Sequence, residues 1–517
     1  MPSTTATDPS LPRDFTLPIP LFALDSAWNQ TATGADVLPE SPQQILVTYR
    51  VLRGDTTNLH PTYEEPPSTW PFPWVNYDEY TIPVFRTGAG QQSVLICDYE
   101  GYLSWPSPKF PGEPQEGGPV TVPAPASMVR PASPTGIDSD GHMVLYESDT
   151  FTEYDFWQAT TVRDGECQSH GGGLMGTAIL EAGAIDFFDV RGSGTNSDTY
   201  SSARAVGTPL LAGLILPEDV EGGAISHALA VAIPGLRNTS AAPSEPLPSD
   251  YFYPASTTET DYYNTDPSSL AAGQRIRLRQ TIVDDTGVLI DENQLAPITR
   301  MFLTALRTYG AYLVDNAGGF TFYAEDIHTA DLDLTDAQVR ALTGESSLPP
   351  GQTKWQIVIE KLNEELEQIP FAYGPWTEGQ DPETAEIETA NFEVVEPAAR
   401  TITLLHLTAA PTSRAIEPGG VATYTISVTS SSGVTDPVSL VASSPSPSLT
   451  LQLVPASVTP PGQAMLTITD SRTGPTLLPG QWYVVPVTAT NGVTQTTSVS
   501  LLVGGVRVYL PVVLKNY

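Results

Sequence analysis

The sequence predicts a mainly β chain: a large β-sandwich or jelly-roll-like domain with a few flanking helices, followed by a second, smaller all-β sandwich. Three observations carry that expectation. Strand-length runs of alternating apolar and polar residues recur between turn residues from about residue 80 to 235. Prolines, 49 in 517 residues, crowd the first quarter of the chain in stretches such as HPTYEEPPSTWPFPWVNYDEY and exclude long helices there. From about residue 398 charge nearly vanishes, and Ser, Thr and Val build short, evenly spaced strands.

In chain order, residues 1–20 read as a flexible leader and 21–385 as the large domain. TIPVFRTG and QQSVLICDYEGYLSW are strands, and GHMVLYESDTFTEYDFWQAT is a hairpin turning at Ser148, Asp149 and Thr150. The next apolar runs are GTAILEAGAIDFFDVRG, TPLLAGLILPEDV and GGAISHALAVAIPG. The last alternates Ile225, His227, Leu229, Val231 and Ile233 on one face, as a central strand would. Helices are expected only late, over 297–368. APITRMFLTALRTYGAYLVDN puts Ile298, Phe302, Leu306 and Tyr309 on one stripe, LTDAQVRALTG opens on a threonine N-cap, and TKWQIVIEKLNEELEQI is amphipathic. A linker over 386–401 then leads to the second sandwich at 402–504, with a terminal segment at 505–517.

Composition bounds function by exclusion. Acidic residues number 59 against 23 basic ones, a net charge of -36, and only Lys109, Lys354, Lys361 and Lys515 are lysines. Such a surface repels phosphate backbones and anionic lipid heads, so neither nucleic acid nor membrane is an expected partner. With 40% hydrophobic and 16% charged residues, the chain suits a folded globule, with no run fit for membrane insertion. The opening MPSTTATDPSLPRDF lacks a basic then apolar signal pattern, so export is read from the Ser/Thr/Pro/Gly richness and the lysine scarcity. Cys97 and Cys167 are either a disulfide or two buried thiols.

The strands VATYTISVTS, PVSLVASS, LTLQLVP, AMLTITDS, QWYVVPVTAT and TTSVSLLV resemble the immunoglobulin-like modules appended to exported bacterial enzymes. The closing VRVYLPVVLKNY resembles a terminal segment of exported bacterial proteins, or is a last strand. Three blocks, DSDGHMVLYESDTFTEYDFWQAT, SSARAVGTPLLAGLILPEDVEGGAISHALAVAIPG and TALRTYGAYLVDNAGGFTFYAEDI, resemble a family of exported bacterial proteins. That resemblance implies an extracellular or cell-surface location and brings no activity with it.

Candidate chemistry is sought in those blocks. Cleaving a glycosidic bond needs two carboxyl groups across a cleft, one of them protonated. Asp155 lies between Tyr154 and Phe156-Trp157, where apolar neighbours raise a carboxyl pKa and rings offer sugar-stacking faces. Asp155, Glu218, His227 and His142 are the catalytic candidates, and Tyr154, Trp157, Arg204 and Asp315 the substrate-binding ones. Glu325 and Asp219 are further acids in the same blocks. No metal is expected in the site and no cofactor. DSDG at 138–141 and DIHTADLDLTD at 326–336 are candidates for structural calcium, although the distal glutamate of a calcium loop is missing. No GxSxG, HExxH or phosphate-loop pattern occurs. The expectation is a secreted carbohydrate-active protein, glycoside hydrolase-like or a polysaccharide lyase, acting on an extracellular polysaccharide. The alternative is a noncatalytic surface or matrix protein that binds glycans. The arginines of RIRLR, Arg275, Arg277 and Arg279, are where an anionic polymer would have to bind.

Overall fold

The computed structural model describes residues 17–60, 71–88, 92–98, 120–124, 140–159, 163–167, 174–195, 203–260, 262–375, 380–397, 405–411, 413–430, 437–472, 481–490 and 494–504. Strand residues outnumber helical ones, 33% against 16%, so the chain is mainly β. It divides into two compact units, Met1–Arg400 and Thr401–Tyr517.

The first unit is organised by a six-stranded mixed sheet in the order Trp74–Asn76, Thr321–Tyr323, Leu229–Ile233, Ala311–Asn316, Arg275–Leu278 and Phe392–Val395. Leu229–Ile233 is buried at every residue and runs parallel to Ala311–Asn316. This agrees with the continuous apolar character of its sequence, since a strand covered on both faces has no polar side. Helices Pro297–Thr308 and Lys354–Leu366 pack against one face, where Phe302 meets Phe322 edge-on at 5.1 Å. Phe320, Phe371 and Phe392 extend that core.

Inside the same unit, two four-stranded sheets face each other. One contains Val84–Thr87, Met143–Glu147, Thr152–Trp157 and Ala184–Asp189; the other contains Val120–Ala124, Gln92–Asp98, Leu174–Ala182 and Arg163–Cys167. Phe85, Met143, Leu145 and Phe156 fill the space against Val94, Ala124, Leu180 and Ala182. The outer face of the first sheet, with Val84, Val144 and Tyr146, joins the main core instead. The 143–157 hairpin therefore presents alternate residues to two different cores, which is why its sequence is apolar on both faces.

Four expectations are corrected here. A helix, Ser41–Val51, stands in the proline-rich stretch, because its proline occupies the first turn, where no N–H is needed. The acidic PEDVEG is a second early helix, Pro217–Gly222, closed by left-handed Gly223 (φ 75°). The 297–317 run is a helix only to Thr308. It reverses at Gly310 (φ 72°), and AYLVDN continues as strand Ala311–Asn316. Residues expected in the 386–401 linker supply the edge strand Phe392–Val395. The threonine-capped helices are found at Asp336–Thr343 and Lys354–Leu366. Leu17, from the expected leader, is buried in the main core, while residues 1–16 and the terminal segment 505–517 lie outside the described residues. Cys97 and Cys167 fall on strands separated by Leu174–Ala182, and their side chains lie outside the described residues.

The second unit is a two-sheet sandwich. One sheet orders Leu405–Ala410, Val421–Ser430, Gly462–Asp470 and Leu449–Val454; the other orders Ser413–Ile416, Thr494–Val503, Gln481–Thr490, Val438–Ala442 and Ser457–Val458. In chain order these are the A-B-E-D and G-F-C arrangements of an immunoglobulin-like sandwich. Ala422, Tyr424, Ile426 and Val428 face inward, Thr423 and Thr425 outward. No helix among the described residues is long and apolar enough to cross a membrane.

Candidate functional site

The site is built on a β-bulge. Along the parallel pair, Leu313 lies opposite Val231 but Asp315 lies opposite Ala232, so Val314 is left without a partner. A one-residue slip moves the following side chain to the other face of a sheet. Asp315 therefore leaves the face of Val231, Leu313 and Phe322, which the helices cover. It joins the face of Ala232, whose partner on the other side is Thr321, two residues before Tyr323. At the carboxyl end of its strand, Asp315 is half-buried.

On that face it meets polar groups brought in from elsewhere. Tyr323 is nearly buried, and the guanidinium of Arg204 sits 5.2 Å from the centre of its ring. His142 Nε2 donates to the carbonyl of Ala203 at 2.9 Å, which fixes the tautomer and leaves Nδ1 to accept. Burial raises the Asp315 pKa above its ordinary value; His142 and Arg204 pull against that, and exposed Asp140 adds to it. Burial, then the charge of Asp315, raises the Tyr323 hydroxyl well above its ordinary pKa, so it remains a proton-bearing donor. The next residue, Asn316, accepts from Leu236 N and donates to the carbonyl of Tyr262, whose ring is 49% exposed. The result is a partly exposed polar cluster in which Asp315, its pKa raised, is grouped with Arg204, His142, Tyr323 and Asp140.

Of the residues singled out by sequence, His142, Arg204 and Asp315 come together here. Asp155 lies one layer behind, wholly buried beside Glu153, with its Oδ2 accepting Leu210 N at 2.8 Å. Glu153 Oε1 accepts Leu211 N at 2.7 Å. Tyr154 is on the opposite face of that strand, against the sandwich core, with its hydroxyl on Glu147 at 3.2 Å. Trp157 is half-buried over Gly183, whose Cα would bring an added Cβ to 3.1 Å from the indole.

Glu218 and His227 belong to a different neighbourhood. Both carboxylate oxygens of Glu325, fully buried, take Arg86 at 2.8 and 2.9 Å, and Glu218 takes the same guanidinium at 3.0 Å. His227 precedes its strand, which starts at Leu229, and its Nε2 donates to Asp219 at 3.1 Å. Asp219 also accepts Leu216 N, capping the short helix. Burial lowers the His227 pKa, but Asp219 and the Ala228 carbonyl outweigh it and leave the pKa raised.

The expected basic stretch is likewise committed. Arg275 binds the carbonyls of Tyr309 and Gln30, and Arg277 and Arg279 both pair with Glu393. In the second calcium candidate, Asp326 accepts from the backbone and ring of His328. Among the described residues no group of three or more His, Cys, Asp or Glu is placed to hold a metal ion. Glu153 and Tyr323 were missed by sequence reasoning. Glu153 is two residues from Asp155 and so shares its face, a signal that was present; Tyr323 carried none.

No family model and no curated protein matches the chain. Among solved structures, domains 4 and 5 of the S-layer protein SbsC are similar over 20% of this chain and 54% of that one, at 11% identity and a TM-score of 0.16. The E. coli chaperone DraB is similar over 20% of this chain and 56% of its own, at 13% identity and TM-score 0.15. The BIgI domain of the beta protein from S. agalactiae, bound to CEACAM1, is similar over 20% of this chain and 99% of its own, at 12% identity and TM-score 0.14. The chain thus spans little more than half the length of the first two.

Proposed function

We propose that the protein is an extracellular or cell-surface carbohydrate-active protein, glycoside hydrolase-like, and that Asp315 is its proton donor. The observation that carries the reading is the bulge at Val314, which turns a carboxyl out of an apolar, helix-covered face into a half-exposed polar cluster, the recess of this proposal. A carboxyl held there with a raised pKa is suited to protonate a glycosidic oxygen. Asp140 is an exposed acid whose charge reaches Asp315, and the candidate for base or nucleophile. Arg204 holds charge of the opposite sign near Asp315, His142 stands beside it, and Tyr262 offers an exposed ring for a sugar's C–H face.

The other acids nominated by sequence are occupied: Glu218 and Glu325 by Arg86, Asp219 by His227, Asp155 by a backbone amide. That commitment favours a second reading, a glycan-binding protein without turnover, in which Asp315 and Asp140 only accept sugar hydroxyls. One experiment separates them. Neutral polysaccharides are screened for binding and for release of reducing ends, with wild type and Asp315→Asn. The hydrolase reading expects at least a ~100-fold loss of turnover in the variant with binding within a few fold of wild type. Wild-type binding without turnover, weakened by the substitution, supports the second reading. A wild type that neither binds nor cleaves any neutral glycan overturns both.

A further inference from the structure

Between the hairpin 143–157 and the central strand Leu229–Ile233 runs a segment, 203–216, that is almost wholly buried yet forms no helix or strand. Buried N–H groups outside regular structure must find acceptors. Two consecutive ones do so on carboxylates of one strand: Leu210 N on Asp155 and Leu211 N on Glu153. Glu153 and Asp155, two residues apart, point to the same side, and neither has any exposed surface. Each uses one oxygen for the segment. The remaining ones, Glu153 Oε2 and Asp155 Oδ1, have no hydrogen-bond donor, and the two carboxyls lie close beside each other. Two carboxylates so placed, away from water and without another donor, are relieved only by a proton between them.

We propose that Glu153 and Asp155 share a proton and together form a pH-sensitive latch that holds segment 203–216 against the sheet, releasing it when the pair becomes doubly ionised. Burial favours this protonation in both groups, and the proximity of each carboxyl to the other adds to it for Asp155. The groups facing the pair fit the same account. Asp186 lies directly opposite Asp155 in the neighbouring strand and adds negative charge; on the other side Tyr146 lies opposite Glu153 and Val144 opposite Asp155. From the segment itself comes Arg204, which holds the carbonyls of Pro209 and Ala212 and faces Asp315 and Tyr323 with its charge. At low pH the pair carries at most one negative charge beside this guanidinium. As the second proton leaves, like charges with no access to water repel.

The sign follows from the raised proton affinity. Both carboxyls bind protons more tightly folded than unfolded, so the latch is fully engaged below the unfolded values, near pH 4, and weakens as pH rises through the folded one, about 7 for Glu153. Because Arg204 is carried on the same segment, release would also withdraw it from Asp315. The latch does not depend on what the recess binds.

The test is hydrogen exchange of peptides covering 203–216 between pH 5.5 and 8, corrected for the intrinsic pH dependence of exchange. The expected result is an opening constant that rises by up to tenfold per pH unit toward neutrality, the signature of one proton. Glu153→Gln supplies a permanent N–H donor to Asp155 and should flatten that dependence; Asp155→Asn does the same from the other side if the first variant does not fold. In wild type, the infrared band of a protonated carboxyl should persist at pH 6 and disappear at higher pH. Protection of 203–216 that is independent of pH in wild type overturns the latch, as does a wild-type pH dependence retained in a folded Gln or Asn variant.

Discussion

Replacing Arg86 by methionine tests whether the Arg86–Glu218–Glu325 cluster is a structural ion pair that stabilises the first unit. Glu325 has no solvent exposure, and two of the Arg86 nitrogens hold its two oxygens. Removing one partner of such a pair leaves a buried charge, which costs ~3–5 kcal/mol when burial is complete. The Arg86 and Glu218 side chains are 20% and 17% exposed, so water can reach the vacated space and the low end, about 3 kcal/mol at pH 7.5, is expected. Burial raises the Glu325 pKa, and Arg86 is the largest influence opposing that. Without the arginine the folded-state value rises further, so the variant binds a proton on folding wherever the unfolded carboxyl, near 4.3, has lost its own. Its stability therefore increases as pH falls, and the deficit against wild type should shrink between pH 7.5 and 5. Urea unfolding followed by tryptophan fluorescence is the assay, because the Trp355 indole donates to the Glu325 carbonyl at 2.7 Å. The double variant Arg86→Met, Glu325→Gln should recover part of the loss. A deficit below about 1 kcal/mol at pH 7.5, or one that is the same at both pH values, refutes the reasoning.

Further outcomes follow from other contacts. Gly213 has φ +76°, and an added Cβ would lie 2.2 Å from Ala230 N; Gly213→Ala should therefore cost at least about 3 kcal/mol in denaturant unfolding, and a loss within experimental error would mean the segment can move off the strand. The His227 imidazole should titrate above 6.5 by NMR and fall on Asp219→Asn. Its ion pair contributes stability below the unfolded pKa that is lost as pH rises through the folded one. A chain ending at residue 397 should keep the first unit folded, whereas one ending at 385 loses strand Phe392–Val395 and the ring that Phe320 and Phe371 pack on; equal melting temperatures would show that strand to be dispensable. With a net charge of -36 and the RIRLR arginines already bound, anionic polymers should not be retained at moderate salt. Retention that collapses steeply with added salt would reveal a basic surface.

Where local signals agreed with tertiary demand, the sequence was readable. The threonine caps at 335 and 353 and the alternation on both sides of Ser148 fix elements that form as the pattern says. Pro217 followed by two acids and closed by Gly223 was an equally good helix signal, obscured by the preceding apolar run, which invites a strand. That run, TPLLAGLIL, is the instructive case: apolar enough for a central strand, it is instead irregular chain kept in place by carboxylates 55 and 58 residues earlier. Period cannot reveal such a segment, because its amides are satisfied by side chains distant in sequence. The Asp315 recess was half legible. Three of its residues, His142, Arg204 and Asp315, were nominated from the blocks, but the bulge that aims Asp315 is a register property of two strands over eighty residues apart, visible only once they pair.

The buried acids of the first unit divide by what neutralises them, and the division says where pH can act. Glu325 has Arg86, Asp219 has His227 and a backbone amide, and Asp326 has His328 and its own turn. These three are held by cation-capable groups at bonding distance. Glu153 and Asp155 lie beside each other and take one backbone amide apiece, an arrangement that acidification strengthens and alkali opposes. Arg86 keeps its charge at neutral and alkaline pH, so the Glu325 pair persists where the carboxyl pair repels itself. Within segment 203–216, Leu210 and Leu211 are held by the second set and Leu216 by Asp219 of the first, so the stretch around Leu210 should open on the alkaline side while the Arg86 cluster stays closed. An experiment that reads both regions at once, hydrogen exchange of 203–216 beside that of 321–328, would therefore separate a local latch from loosening of the whole unit. Parallel loss of protection in the two regions as pH rises would show that the unit loosens as one.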